Sequence, residues 1–273
     1  MIDFFLLMWK PLLACLVLTG IHGYLGVHVV ERKVIFVDLA LAQIAALGAS
    51  AAFLFGHDLH GPLTYWFSLA ATFLGAVIFA LTRTRKEKIP HEAIIGIVYA
   101  VSAALAILIL SRAAEGDEHI RFMLVGNVLL VSVPEIIKMA VLYSVVGLFH
   151  WVFRKNFILI STQPEAAYRK GLPVKLWDLF FYLTFGLVVT SSVQIAGVLL
   201  VFTFLIIPAV GSMLFCEKFG SRLTLGWILG GISSFLGIFL SYFFDLPTGA
   251  ATVSAFAAVL LFLSVVKSLF FRV

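Results

Sequence analysis

Runs of about 20 apolar residues with almost no charge recur from one end of this chain to the other. Each is long enough to cross a hydrocarbon layer about 30 Å thick as a helix. Water is absent there, so every backbone N–H and C=O must be paired within the segment, and a helix does that. The runs are too long, and alternate too weakly, for the strands of an outer-membrane barrel. Hydrophobic residues are 62% of the 273 positions and charged residues 12%, more apolar surface than one soluble core can hide. The fold class is therefore all-α, a polytopic membrane protein forming one transmembrane domain over 1–273.

Apolar runs read against loop signals predict nine spans, near 11–30, 34–56, 63–82, 91–111, 124–150, 176–193, 195–215, 223–243 and 249–268. Ser191, Ser192 and Gln194 leave almost no loop between the sixth and seventh, so that pair can equally be one broken helix, and the count runs from eight to ten. Lys10-Pro11 interrupts the first run, and no basic segment precedes it, so the first helix is expected to be retained rather than cleaved as a signal. Cys15 and Cys216 are too few for a disulfide framework or a thiolate metal cage.

Positive residues are retained on the cytoplasmic face of a membrane. With these spans, one side collects Arg32, Lys33, Arg83, Arg85, Lys86, Lys88, Arg154, Lys155, Arg169, Lys170, Lys175, Lys218, Arg222, Lys267 and Arg272, which is 15 of the 19 Lys and Arg. The other side holds Lys10, Arg112 and Arg121, with Lys138 inside a span. That second side also collects Asp3, Asp58, Glu115, Asp117, Glu118 and Asp245. The expected orientation is N-terminus outside and C-terminus inside, with an acidic outer rim that attracts cations. The loop from Arg154 to Lys175 is the longest on the basic side and is too short for a second domain. No phosphate-binding G-x-x-x-x-G-K-[ST] loop, H-E-x-x-H or C-x-x-C occurs, so energy is expected from a partner or a gradient.

Ionisable residues within spans cost a few kcal/mol and normally face a pathway or a partner helix. Asp38 lies at the start of the second span, with Gln43 five residues on and the small residues Ala45, Ala46, Gly48, Ala49 and Ser50 after it. The small residues suit close helix packing. Asp38 is either a pathway group or an interface partner for Arg32 or Lys33. Glu92 follows His91 at the start of the fourth span, where it either binds a cation or complements its own helix dipole. His22 and His28, six apart, lie on different faces of a helix and suit packing roles. His57, Asp58 and His60 carry metal-ligand chemistry, but a solvated loop explains them better.

Four segments resemble the membrane permease of the family-3 metal-ion ABC importers. They are ERKVIFVDLALAQIAALGAS from Glu31, HEAIIGIVYAVSAALAI from His91, IAGVLLVFTFLIIPAVGSMLF from Ile195 and SYFFDLPTGA from Ser241. The resemblance runs in order over nearly the whole chain. It implies a homodimer of permeases in the bacterial plasma membrane, two copies of a separate ATPase subunit inside, and a periplasmic or surface metal-binding protein outside. It also implies that Pro208 to Arg222, with Gly211, Glu217 and Lys218, is the cytoplasmic segment coupled to the ATPase, a Pro, a Gly and a short charged helix ending an outer-to-inner span. Asp245 would meet the binding protein or collect cations. The family's second span usually carries Asp with His four residues later, whereas Asp38 is followed at that distance by Ala42. Aligned on Gly48, Gln43 takes the histidine's place, and an amide oxygen is the weaker and harder donor.

The expectation is a permease that moves a divalent transition metal, zinc or manganese ahead of iron, with Asp38, Gln43, Glu92 and Gln194 along the pathway. It performs no chemistry of its own, holds no permanent cofactor, and binds the metal as cargo. The rival class is a stand-alone secondary transporter or channel, for which no internal repeat is apparent. A membrane-embedded enzyme or scaffold would need a compact catalytic constellation or large soluble surfaces, and the sequence offers neither.

Overall fold

The computed structural model of the chain describes residues 2–58, 61–83, 85, 89–111 and 124–270. His60, Lys86, Lys88, Arg112, Glu115, Asp117, Glu118, Arg121 and Arg272 of the sequence reading lie outside the described residues. The ordered elements described are helices: α1 (Ile2–Glu31), α2 (Val37–Leu54), α3 (Pro62–Thr82), α4 (His91–Leu110), α5 (Val133–Val152), α6 (Arg154–Thr162), α7 (Pro164–Arg169), α8 (Val174–Met213), α9 (Phe219–Phe244) and α10 (Thr248–Phe270), with one 3-10 turn at Val128–Leu130. Eight of them are long and apolar enough to cross a membrane.

Three boundaries differ from the sequence reading. α1 runs straight through Lys10-Pro11. Proline supplies no N–H to the Leu7 carbonyl, a loss that membrane helices tolerate where neighbouring packing compensates, and Pro11 is buried. α5 starts at Val133 rather than near 124, because Gly126 takes φ +66° and ends regular helix there. Ser132 and Glu135 then cap α5 reciprocally: the Ser132 N–H donates to Glu135 Oε2 at 2.8 Å and the Glu135 N–H donates to Ser132 Oγ at 3.4 Å. Finally, 154–175 is not a simple loop but the short helices α6 and α7. Ile160, Ala167 and Val174 form a small buried core there, covered by Leu159, Tyr168, Leu172 and Trp177.

α8 has 40 residues, or about 60 Å at 1.5 Å per residue, twice the thickness of a hydrocarbon layer. It is broken at Gly197, where φ 74° and ψ 161° leave the helical region. The segments 174–196 and 198–213 are each near the length of one crossing, so the broken-helix alternative holds.

The chain forms two compact units. The first comprises 1–30, 125–148 and 195–273. In it, Trp227 Nε1 on α9 donates to the Gly20 carbonyl on α1 at 2.9 Å. Phe4 sits among Phe235, Phe239, Tyr242 and Phe243. The turn between α9 and α10 is tied by the Ser241 hydroxyl, which donates to the Leu246 carbonyl at 2.8 Å and pairs with Thr248 Oγ1 at 2.9 Å. Gly126 lies against the Ala196–Gly197 peptide, and the Asn127 N–H donates to the Ile195 carbonyl at 3.1 Å.

The second unit comprises 31–124 and 149–194. α2 packs between α3 and α4. A methyl group on Gly48 would lie 2.6 Å from the Phe67 carbonyl oxygen, so the small residues read from the sequence do serve a close helix contact. Thr72 and Thr190 join α3 to α8 through their hydroxyls at 3.0 Å.

Candidate functional site

The proposed pathway residues Asp38, Gln43, Glu92 and Gln194 all belong to the second unit. Asp38, in the first turn of α2, is 0% exposed, and neither carboxylate oxygen has a hydrogen-bond partner. It does not pair with Arg32 or Lys33. Arg32 is committed elsewhere, and a bare carboxylate in a membrane span costs about 3 kcal/mol, so its retention calls for a reason other than packing.

Gln43 is half-buried. Five residues turn a helix by about 500°, which leaves Asp38 and Gln43 about 140° apart around α2 and does not make them a chelating pair. Glu92 is half-buried, and its Oε1 accepts the Phe36 backbone N–H at 2.9 Å, one residue before α2. Glu92 therefore caps a neighbouring helix. Its Oε2 is buried without a partner. Gln194 is exposed, three residues before the break at Gly197. No group of three or more His, Cys, Asp or Glu able to hold a metal ion occurs among the described residues.

Tyr182 on α8 packs against Phe79 and His91, at ring centroid distances of 6.0 and 6.3 Å, and its buried hydroxyl is unpartnered. His91 Nε2 meets Thr82 Oγ1 at 3.3 Å.

Asp178, absent from the residues expected from the sequence, is bound by two arginines. One of its oxygens accepts from Arg32 at 2.6 Å and from Arg83 at 2.7 Å, with the Arg32 and Asp178 side chains at 0% and 1% exposure. Arg32 also donates from Nε to Ser161 Oγ at 2.8 Å, and its guanidinium lies 4.0 Å from the Phe181 ring centre. Burial pulls the Arg32 guanidinium below its ordinary value, opposed by Asp178. A carboxylate just inside an apolar span was the available signal. Beside this node, exposed Arg85 pairs with Glu165 at 2.8 Å and lies over Tyr168. That pairing holds the Glu165 carboxyl below the usual range.

In the first unit, His28 packs between Tyr24 and Phe219. His22 lies 2.9 Å through Nδ1 from the Leu18 carbonyl, which can only accept, so Nδ1 carries the proton. The expected coupling segment folds differently from expectation. Pro208 and Gly211 are inside α8, Glu217 and Lys218 are exposed in a tight turn, and Arg222 is already in α9. No separate short helix forms there, because the Cys216 N–H bonds back to the Ser212 carbonyl and Arg222 Nε donates to the Cys216 carbonyl at 2.8 Å. Asp245 is exposed, in left-handed conformation at the end of α9.

Known proteins match along this same architecture. The chain is 30% identical over 251 residues to the manganese transport system membrane protein MntC of Listeria monocytogenes, covering 89% of this chain and 85% of that protein. It is 28% identical over 253 residues to a probable iron transport system membrane protein of Haemophilus influenzae, covering 92% and 90%. Among solved structures, PsaBC from Streptococcus pneumoniae in complex with Fab matches with a TM-score of 0.79 at 23% identity over 96% of this chain and 93% of that one, which is a likeness of fold. The model of the ABC 3 transport family matches residues 5–268, and the chain is a multi-pass membrane protein belonging to that family.

Proposed function

We propose that this chain is the permease subunit of an ABC importer that carries a divalent transition metal into the cytoplasm, with manganese(II) the leading cargo. The observation that carries this reading is Asp38, a carboxylate buried in a membrane span with both oxygens free of partners. Such a group gains most when a cation arrives and replaces the solvation it lacks. Its hard carboxylate oxygens suit manganese better than zinc. Relatives named for manganese and iron support that order.

Two ATPase subunits would supply the energy, since the sequence has no nucleotide-binding loop of its own. Two permeases would form the pore, and an extracytoplasmic binding protein would deliver the ion. The contact of Arg32, Arg83 and Asp178, with Arg85 paired to Glu165 on α7, gathers the α1–α2 and α3–α4 connections and α7 at one end of the second unit. That supports placing them together on the positive, cytoplasmic face, with the N-terminus outside. Pro208 to Arg222 would meet the ATPase through its exposed turn. Asp245 would lie outside. The metal is cargo and no resident cofactor takes part.

The test is manganese, iron and zinc accumulation in cells expressing the chain with its ATPase and binding-protein partners, against an ATPase-inactive partner. ATP-dependent accumulation of manganese is the expected result. Uptake that survives the inactive ATPase replaces this reading with a secondary transporter or channel.

A further inference from the structure

The start of α2 has no cap of its own. Its N-cap residue is Phe36, which offers no side-chain acceptor, although a helix N-terminus leaves four N–H groups to satisfy. Glu92 supplies the acceptor from α4, taking the Phe36 N–H at 2.9 Å. A carboxylate is also the favourable charge at that end of a helix. The other end of the same turn is held by Arg32, bound to Asp178 and Ser161. Lys33 between them takes a left-handed φ of 58°. The turn 32–36 is thus pinned at both ends, and Asp38 follows two residues later with no hydrogen bond of its own to orient it.

We propose that Glu92 is a positioning residue for transport, which holds the start of α2 so that Asp38 is presented to the ion, and is not an ion ligand. This rests on the reading of Asp38 as the pathway carboxylate. The task requires an acceptor at Oε1 and does not require a negative charge. Glutamine provides that acceptor through its amide oxygen, whereas alanine provides none. A metal ligand behaves otherwise, because exchanging a carboxylate for an amide weakens the site for a divalent cation.

The experiment measures manganese(II) uptake against concentration in cells carrying the chain with its partners, for the unchanged protein, Glu92→Gln and Glu92→Ala, each normalised to the amount in the membrane. Glu92→Gln is expected to keep at least about half of the maximal rate, with half-saturation within about twofold. Glu92→Ala is expected to lose about tenfold in maximal rate, or to fail to accumulate, without a matching rise in half-saturation. The proposal is overturned if Glu92→Gln is absent from the membrane, is as inactive as Glu92→Ala, or raises half-saturation about tenfold. An ATPase-inactive partner tested with the unchanged protein separates this outcome from failure of the importer reading, which would appear before any Glu92 variant is examined.

Discussion

Gly126 crosses Gly197 so closely that a methyl group on Gly126 would overlap the Ala196–Gly197 peptide. Both residues have positive φ, 66° and 74°. The crossing lies at the one non-helical residue of α8, and the Asn127 N–H there takes up the Ile195 carbonyl. Two glycines therefore do one job: the first gives way so that the second can turn.

Gly126→Ala is accordingly expected to destabilise the protein by at least about 2 kcal/mol, through overlap with backbone that cannot move aside as a side chain can. Thermal unfolding of detergent-purified protein checks this. Gly20→Ala, where a methyl meets nothing within 4 Å, serves as the control and should be nearly neutral. Equal melting temperatures for the two variants would contradict the crossing.

Asp178 compensates two guanidiniums, so its loss should cost more than the loss of either one. Asp178→Ala leaves Arg32 buried without a counter-charge and is expected to cost about 3 to 5 kcal/mol. Arg83→Ala leaves the Arg32–Asp178 pair intact, and Arg83 is 11% exposed, so its cost should be about 1 kcal/mol. The order of the two melting temperatures is the measurement, and Arg83→Ala being the more damaging would refute the assignment.

Asp38 has the opposite signature. Because the carboxylate is buried without a partner, Asp38→Asn removes an uncompensated charge and should raise stability by about 1 to 3 kcal/mol while abolishing uptake. Added manganese should raise the melting temperature of the unchanged protein and not of the variant, since binding to the folded state alone stabilises it. A variant that melts lower than the parent would show that Asp38 is held by the fold rather than reserved for the ion.

Hydropathy is local, and so what it determines is local. The apolar runs alone placed α2, α3, α4, α9 and α10 within a few residues, and the polar sequence Ser191–Gln194 marked the region where α8 breaks. The segments from Glu31, His91, Ile195 and Ser241 were sufficient to identify the ABC 3 transport family. Asp38 was legible as an ionisable residue in a span, but its isolation was not, because whether Arg32 is free depends on Asp178, 146 residues away. Glu92 was legible as a helix-start carboxylate, yet the helix it caps is α2, 56 residues earlier, and not its own. The α1 helix through Pro11 and the short helices of 154–169 likewise depend on tertiary neighbours, which bury the proline and cover a small apolar face. Sequence by itself determined which segments enter the membrane, because the free energy of that transfer is a sum over consecutive residues. Only the tertiary structure decided which charges meet, which glycines touch and which carboxylate stays alone, because those contacts are made between segments that no local pattern connects.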